Sequence, residues 1–251
     1  MNPDRMVRFG IINDDDDKIL AYVGGWSIVD LEGEDEYQFT FSDIQWMPCN
    51  YNSSFIIGNL RLGILSNTGL PIGEYFVPLE KLTKWRDLGD QEWILDTAMN
   101  EAISREEVDM WELLRDQNDL APYLWLSFSQ HQREIWLKIV RYHSLYRHIH
   151  TDQSSVAGEG MRSFTLDMQH VQEKVSFFLM LGECLNGPAS YYGVGQDSLQ
   201  DCLYGGFGVA PPFRLQILHA PDKNMSISDT FGKEFWQCIE CLQHAGVEVA
   251  I

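Results

Sequence analysis

The sequence predicts an α+β N-terminal region followed by a smaller α/β domain, and three changes of pattern support this fold class. Up to about residue 82, short runs of β-branched and aromatic residues alternate with turn residues, which is typical of antiparallel strands. From about residue 95, the apolar residues recur at helical spacing. After about residue 162, strand and helix patterns alternate, which favours a parallel sheet with helices packed on it.

The composition indicates an acidic globular protein with a sizeable core. The chain has 251 residues, of which 45% are hydrophobic, enough for one large or two small domains. The formal net charge of -19 repels phosphate backbones, so we expect no nucleic-acid binding and instead a basic protein partner. Acidity that serves solubility alone is the alternative. Five irregularly spaced cysteines, with no apolar run long enough for a membrane span or a leader peptide, predict a cytoplasmic protein without membrane contact.

Residues 1–90 are predicted to form a β-rich domain. The segments VRFGIIN and KILAYVGGWSIVD flank Asp14–Asp17, which we interpret as a hairpin turn. A cation site is the alternative interpretation of these four carboxylates, but the ligand spacing and the glycine of an EF-hand are missing. EYQFTFSDIQW alternates in polarity, and two further strands flank the turn Asn67–Gly69. Five or six short strands predict a small antiparallel barrel or sandwich.

Residues 91–150 are predicted to form a helical segment packed on this domain. LDTAMNEAISREEVDMWELLRDQ and SFSQHQREIWLKIVRYHSLYRHI both carry apolar residues at helical spacing. The second is rich in His and Arg, which indicates a solvated helix face, with anion binding or docking onto an acidic surface as alternatives. His148 and His150 are the candidate group for an enzyme. We do not expect an enzyme, because no catalytic motif surrounds them.

Residues 151–162 are predicted to be a linker, and residues 163–251 a separate domain. The segments SFTLDMQHV, QEKVSFFLMLGECLNG, DSLQDCLYG, FRLQILHA, SDTFGKEFWQCIECLQHAG and VEVAI predict strand, helix, helix, strand, helix and strand. This order requires crossover connections and therefore a three-stranded parallel sheet with packed helices.

Motifs for cofactors and metals are weak in the sequence. GVGQDS lacks the lysine and the preceding strand of a phosphate-binding loop. Cys238 and Cys241 form a CxxC motif without a second cysteine pair, so buried thiols are favoured over a metal or redox site. We expect no cofactor, no metal and no catalytic residues.

A resemblance to a known family lies in the last third of the chain. The pair Tyr191–Tyr192 with Gly193 precedes the phrase D-x-L-x-D-C-L, which runs from Asp197 to Leu203. A Gly205–Gly206 turn, PPFRLQIL and a helix ending HAGVEVAI follow. In this order, over roughly residues 163–251, the chain resembles the barstar-related family of ribonuclease inhibitors. The resemblance implies a barstar-like α/β fold for this domain.

The resemblance also implies an immunity or antitoxin protein that binds a basic ribonuclease toxin. Asp201 would be the central mimic of a substrate phosphate in the cationic active site, with Asp197, four residues earlier on the same helix face, in support. The rest of the implied toxin-binding surface consists of Tyr191, Tyr192, Tyr204, Gly205 and Glu240.

The sequence departs from the family pattern at several positions. Gly195–Gln196 precedes the first aspartate, Gln200 precedes the second, and Cys241 stands where a carboxylate would be expected, one residue after Glu240. These departures leave open an alternative function: a scaffold or regulator that binds protein, retains the barstar-like fold and inhibits no nuclease.

Overall fold

A computed structural model describes residues 8–31, 36–47, 56–84, 92–98, 103–115, 120–150, 161–222 and 230–251. The chain divides into two compact units, Met1–Asp116 and Gln117–Ile251. Together the described residues contain nine strands and five α-helices, a mixed α+β composition. Each described helix is too short or too polar to cross a membrane.

The N-terminal unit is built on one six-stranded antiparallel sheet with the order β5-β4-β1-β2-β3-β6. Its strands are β1 (Phe9–Asn13), β2 (Ile19–Asp30), β3 (Glu36–Trp46), β4 (Ile56–Leu65), β5 (Pro71–Lys84) and β6 (Glu92–Ala98). The predicted strands are confirmed, but the predicted barrel or sandwich is not, and β4 pairs with β1 and not with its predecessor β3. In the described residues no ladder joins the edge strands β5 and β6, so the sheet stays open. A side-chain bond from Thr97 Oγ1 to the Pro78 carbonyl, at 2.6 Å, connects them.

The acidic run Asp14–Asp17 forms the predicted hairpin turn between β1 and β2. The Asn13 N–H donates to the Lys18 carbonyl at 2.9 Å, which closes the turn. The guanidinium of Arg61, on the adjacent strand β4, forms ion pairs with Asp14 and Asp17. The positive charge that neutralises carboxylates of this turn therefore comes from the side chain of Arg61.

The helix α1 (Arg105–Arg115) packs on the sheet through one large side chain. Trp111 is fully buried, and its Nε1 donates to Tyr75 Oη at 2.7 Å. The indole lies so close to β5 that a Cβ on Gly73 would be 2.2 Å from Trp111 Cη2. Trp111 therefore faces inward, as the helical spacing of apolar residues in this segment favours.

The predicted helical segment at residues 91–150 differs from the structure in two ways. Its first residues form β6, which pairs with β3, because Trp93 and Leu95 bury their side chains on one face of that strand. Its second half forms α2 (Gln130–His150), which belongs to the C-terminal unit. There Arg133 Nε donates to Glu173 Oε1 at 2.8 Å. The predicted linker at 151–162 lies outside the described residues up to residue 160.

The C-terminal unit contains the predicted three-stranded parallel sheet, with the order β7-β8-β9. After a short 3₁₀ helix (Leu124–Ser127) and α2, its elements are β7 (Arg162–Asp167), α3 (Lys174–Asn186), α4 (Gln196–Tyr204), β8 (Phe213–Leu218), α5 (Thr230–His244) and β9 (Glu248–Ala250). The predicted order of strand, helix, helix, strand, helix and strand is confirmed. Its core is rich in aromatic residues, with Phe177 against Phe178 and Phe235 at ring-centroid distances of 5.1 and 5.6 Å.

Candidate functional site

The helix α4 carries both aspartates of the candidate site. Its first turn is fixed by Ser198, whose Oγ accepts the Val194 and Gly195 N–H groups at 2.8 and 3.0 Å. The helix ends at Tyr204, where the Gly205 N–H donates to the Cys202 carbonyl at 3.1 Å and Gly205 takes a φ of 112°. A non-glycine residue rarely adopts that angle, so Gly205 sets the length of the helix.

Asp197 and Asp201 lie on the solvent-exposed side of α4. The opposite side is the buried one, with Leu199, Cys202 and Leu203 in the core as expected from their apolar spacing. Both carboxylates are exposed, and neither forms an ion pair or a side-chain hydrogen bond with any residue that the structure describes. No described side chain therefore neutralises either charge.

A groove of about 520 Å³ lies between α4 and α5. Its lining comprises Gln196, Gln200, Leu203 and Tyr204 from α4, Ala210 and Pro211 from the loop before β8, and Glu240, Cys241, His244 and Ala245 from α5. Glu240 is exposed, and Tyr204 is 81% exposed. The structure therefore brings two predicted site residues, Tyr204 and Glu240, together at this groove, whereas Asp197 and Asp201 are not among its lining residues.

The two adjacent tyrosines are part of the core and not of the surface. Tyr191 is 4% exposed and Tyr192 is fully buried. The Tyr192 hydroxyl donates to the Val209 carbonyl at 2.6 Å, and the Tyr191 ring contacts Phe207 edge-on. Burial raises the pKa of both hydroxyls. The prediction that these rings supply contact area to a partner is therefore corrected: they support the segments around α4 from inside.

Asn186, at the end of α3, joins the segments before and after α4. Its Nδ2 donates to the carbonyls of Tyr191 and Phe207 at 3.2 and 2.8 Å, and its Oδ1 accepts the Val209 N–H at 3.0 Å. A Cβ on Gly208 would lie 2.1 Å from this Oδ1. Because one half-buried amide satisfies three backbone groups, the loops before and after α4 are held together.

The described cysteines show no feature of a metal or redox site. No group of three or more His, Cys, Asp or Glu side chains within the described ranges could hold a metal ion. Burial raises the pKa of Cys238 and of Cys202 to about 12. Cys241 is half-buried at the groove, on the position where the family resemblance would place a carboxylate. Glu240, its neighbour, supplies an exposed carboxylate instead.

Most of the groove's lining residues, including His244 and Pro211, are not among the site residues predicted from sequence. The sequence spacing could have indicated His244. It follows Glu240 by four residues on α5, just as Gln196, Gln200 and Tyr204 follow one another by four residues on α4. The side chains of His148 and His150, the candidate group for an enzyme, lie outside the described residues.

Comparison of the chain with protein-family models, with curated proteins and with solved structures gave no match. The resemblance to the barstar-related family therefore stays a prediction.

Proposed function

We propose that the chain inhibits a basic ribonuclease toxin, as a cytoplasmic immunity or antitoxin protein with a barstar-like C-terminal domain. The observation that carries the proposal is the pair Asp197 and Asp201, exposed on α4 and without an ion-pair partner among the described residues. Two exposed carboxylates that no described side chain neutralises are available to a cationic partner.

The position of Asp201 supports a role in binding. It lies in the last turn of α4, where the helix dipole disfavours a negative charge, and Asp197 four residues earlier repels it. A neutral residue would therefore make the helix more stable. A charge that weakens its own helix is best explained by an interaction with another molecule.

The chemistry of a ribonuclease active site matches these groups. Such a site is cationic, because it binds a phosphodiester and stabilises the charge that develops on it. Carboxylates can accept the same charge-assisted hydrogen bonds from arginine as phosphate oxygens do. Glu240 supplies an exposed carboxylate at the groove, and the exposed ring of Tyr204 offers an aromatic contact of the kind enriched at interfaces.

Inhibition of RNA cleavage tests the proposal. The full chain is titrated into a purified ribonuclease of the barnase type, and cleavage should fall to zero near one equivalent. Asp201→Asn should raise the inhibition constant about 30-fold or more, because loss of one member of a buried charge pair costs about 2–5 kcal/mol. Asp222→Asn, an exposed aspartate outside α4 and α5, is the matched control and should inhibit like the wild type. Equal inhibition by all three proteins would reject phosphate mimicry.

Burial of Tyr191 and Tyr192 favours a second candidate, a protein-binding scaffold or regulator that inhibits no nuclease. Of the three predicted interface tyrosines, Tyr204 alone is exposed, which leaves fewer aromatic contacts for a tight inhibitor. A partner that binds the α4–α5 face while RNA cleavage continues unchanged would support this candidate over the first.

A further inference from the structure

The chain enters and leaves α4 through a neck, formed by residues 191–192 and 207–209, that side-chain hydrogen bonds close. The Asn186 Nδ2 group donates to the Tyr191 carbonyl before α4 and to the Phe207 carbonyl after it, at 3.2 and 2.8 Å. One amide at the end of α3 therefore joins both sides of the neck.

The backbone of Val209 is held on both sides of its Cα atom. Its N–H donates to Asn186 Oδ1 at 3.0 Å, and its carbonyl accepts the Tyr192 hydroxyl at 2.6 Å. The side chain of Val209 is 4% exposed, so these bonds are shielded from water. The next two residues, Ala210 and Pro211, line the groove between α4 and α5. The neck therefore determines where this wall of the groove begins.

The residue types in the neck are suited to these contacts. An asparagine amide carries two N–H donors and an acceptor oxygen on one short planar group, which matches two carbonyls and one N–H. Leucine would leave all three backbone groups without this partner, and aspartate would set a carboxylate oxygen against two carbonyl oxygens. Gly208 has a φ of 89°, and a Cβ there would overlap Asn186 Oδ1. The amide and the glycine together determine the path of the neck.

We propose that Asn186 and Tyr192 are positioning residues for partner binding: through the neck they hold the groove wall at 210–211 in place relative to α4. This inference rests on the proposed function, because it assigns to the groove the same partner as to Asp197 and Asp201. The two side chains act through the backbone that they hold, and the partner contacts the surface beyond it. A surface that is ordered before binding loses less conformational freedom in the complex, which favours slow dissociation.

Amide hydrogen exchange of the full chain tests the positioning without a partner. In the wild type the Val209 N–H should exchange slowly, because it is buried and hydrogen-bonded. Asn186→Ala should speed this exchange about tenfold or more and shift the amide signal of Ala210. Ser176→Ala is the matched control, because it removes a capping hydroxyl at the other end of α3, outside the groove lining, and it should leave both signals unchanged. Wild-type exchange at Val209 in Asn186→Ala would overturn the proposal.

Binding kinetics with a ribonuclease of the barnase type separate positioning from a loss of stability. Asn186→Ala changes no charge, so electrostatic steering and the association rate should stay within about twofold of the wild type. The dissociation rate should rise about tenfold, because the loosened neck must be ordered again in the complex. Ser176→Ala should keep both rates. A wild-type dissociation rate in a folded Asn186→Ala protein would overturn the proposal.

A second variant keeps the test valid if Asn186→Ala fails to fold. Tyr192→Phe keeps the ring in the core and removes the bond to the Val209 carbonyl, so it should raise the dissociation rate several-fold. A wild-type rate in Tyr192→Phe contradicts the proposal and leaves ribonuclease inhibition by the wild type intact. If the wild-type protein inhibits no ribonuclease, the proposed function fails instead, and hydrogen exchange at Val209 decides by itself whether Asn186 positions the groove wall.

Discussion

Acidic residues are neutralised to different extents in the two compact units. Residues 1–116 contain 23 Asp and Glu against nine Lys and Arg, a formal charge of -14, whereas residues 117–251 contain 14 against nine, a charge of -5. The most acidic stretch, Asp14–Asp17, pairs with Arg61 inside its own unit. Asp197 and Asp201, in the less acidic unit, have no cation partner among the described residues. A dense run of carboxylates therefore need not mark a binding surface, and the proposed function assigns that role instead to carboxylates that the fold leaves without an ion pair.

The ion-pair cluster around Arg61 explains the contrast. Its side chain is 9% exposed and pairs with Asp14, Asp17 and Glu74. Burial by itself would lower the pKa of Arg61. The hydrogen bonds and negative charges of Glu74 and Asp17 outweigh this effect, so the pKa of Arg61 is raised overall. The guanidinium thus holds the β1–β2 turn against β4 and β5.

The largest expected effect is the loss of this guanidinium. Arg61→Met should lower the free energy of unfolding by about 3 kcal/mol, because it leaves several carboxylates close together without their cation. Lys18→Met is the control: Lys18 also pairs with an aspartate of the turn but is 65% exposed, so the change should stay below about 1 kcal/mol. Urea denaturation of both variants measures the difference. Equal losses would mean that the turn does not depend on Arg61.

A backbone contact in the C-terminal unit should give the next largest effect. A Cβ on Gly182 would lie 2.1 Å from the Ser190 carbonyl oxygen, so α3 would have to move away from the segment that leads into α4. We expect Gly182→Ala to destabilise the protein by about 1–3 kcal/mol. Gly10→Ala, whose Cβ meets its nearest atoms at 3.6 Å, should be milder. Thermal unfolding compares the two, and a harmless Gly182→Ala would contradict the close approach.

A pH-dependent effect is expected from Glu183, which is 8% exposed. Burial raises the pKa of this carboxyl above its ordinary value of 4.5, although the N–H groups of Tyr123 and Ala189, which it accepts at 2.6 and 3.3 Å, oppose the rise. Because the folded pKa lies above the unfolded one, the contribution of Glu183 to stability is complete below the unfolded pKa. It is lost as the pH rises through the folded pKa.

Glu183→Gln isolates this contribution, because glutamine does not titrate. The unfolding free energy of the wild type minus that of the variant should decrease between about pH 4 and the raised pKa, and then level off. Urea denaturation of both proteins at each pH measures the difference. A constant difference over this range would show that Glu183 has the same pKa in both states.

The smallest expected change in stability compares a carboxylate without an ion pair, Asp201, with an ion-paired one, Glu74. Asp201→Asn removes a charge from the last turn of α4 and relieves its repulsion with Asp197, so the free energy of unfolding should rise by a few tenths of a kcal/mol. Glu74→Gln, which removes a carboxylate that Arg61 contacts at 2.8 Å, should lower it. Opposite signs in chemical denaturation confirm the comparison, and the same sign would contradict it.

Much of the fold could be predicted from sequence because its signals are local. Alternation in EYQFTFSDIQW places Phe39 and Phe41 in the core, and the spacing in DSLQDCLYG gives both the buried and the exposed side of α4. The order of strands and helices after residue 162 fixed the parallel sheet through the need for crossovers. The strand β6 was missed because its pairing with β3 joins residues more than 50 positions apart, as at Phe41 and Trp93.

The candidate site could be predicted in part for the same reason. Exposure of Asp197 and Asp201 follows from helix periodicity, whereas the burial of Tyr192 depends on the Val209 carbonyl, 17 residues further along. A tyrosine is equally suited to an interface or to a core with a buried acceptor, so the residue type does not decide. Likewise, the partner of Asp17 is Arg61, 44 residues away, and nothing near the acidic run indicates it.

The most direct test of the central claim combines stability and inhibition in one variant, Asp201→Asn. The claim is that the charge at this position serves a partner and costs the fold a small amount of stability. We predict an unfolding free energy at or slightly above that of the wild type, together with an inhibition constant for the ribonuclease raised about 30-fold or more. Wild-type inhibition by a correctly folded Asp201→Asn protein would contradict the account.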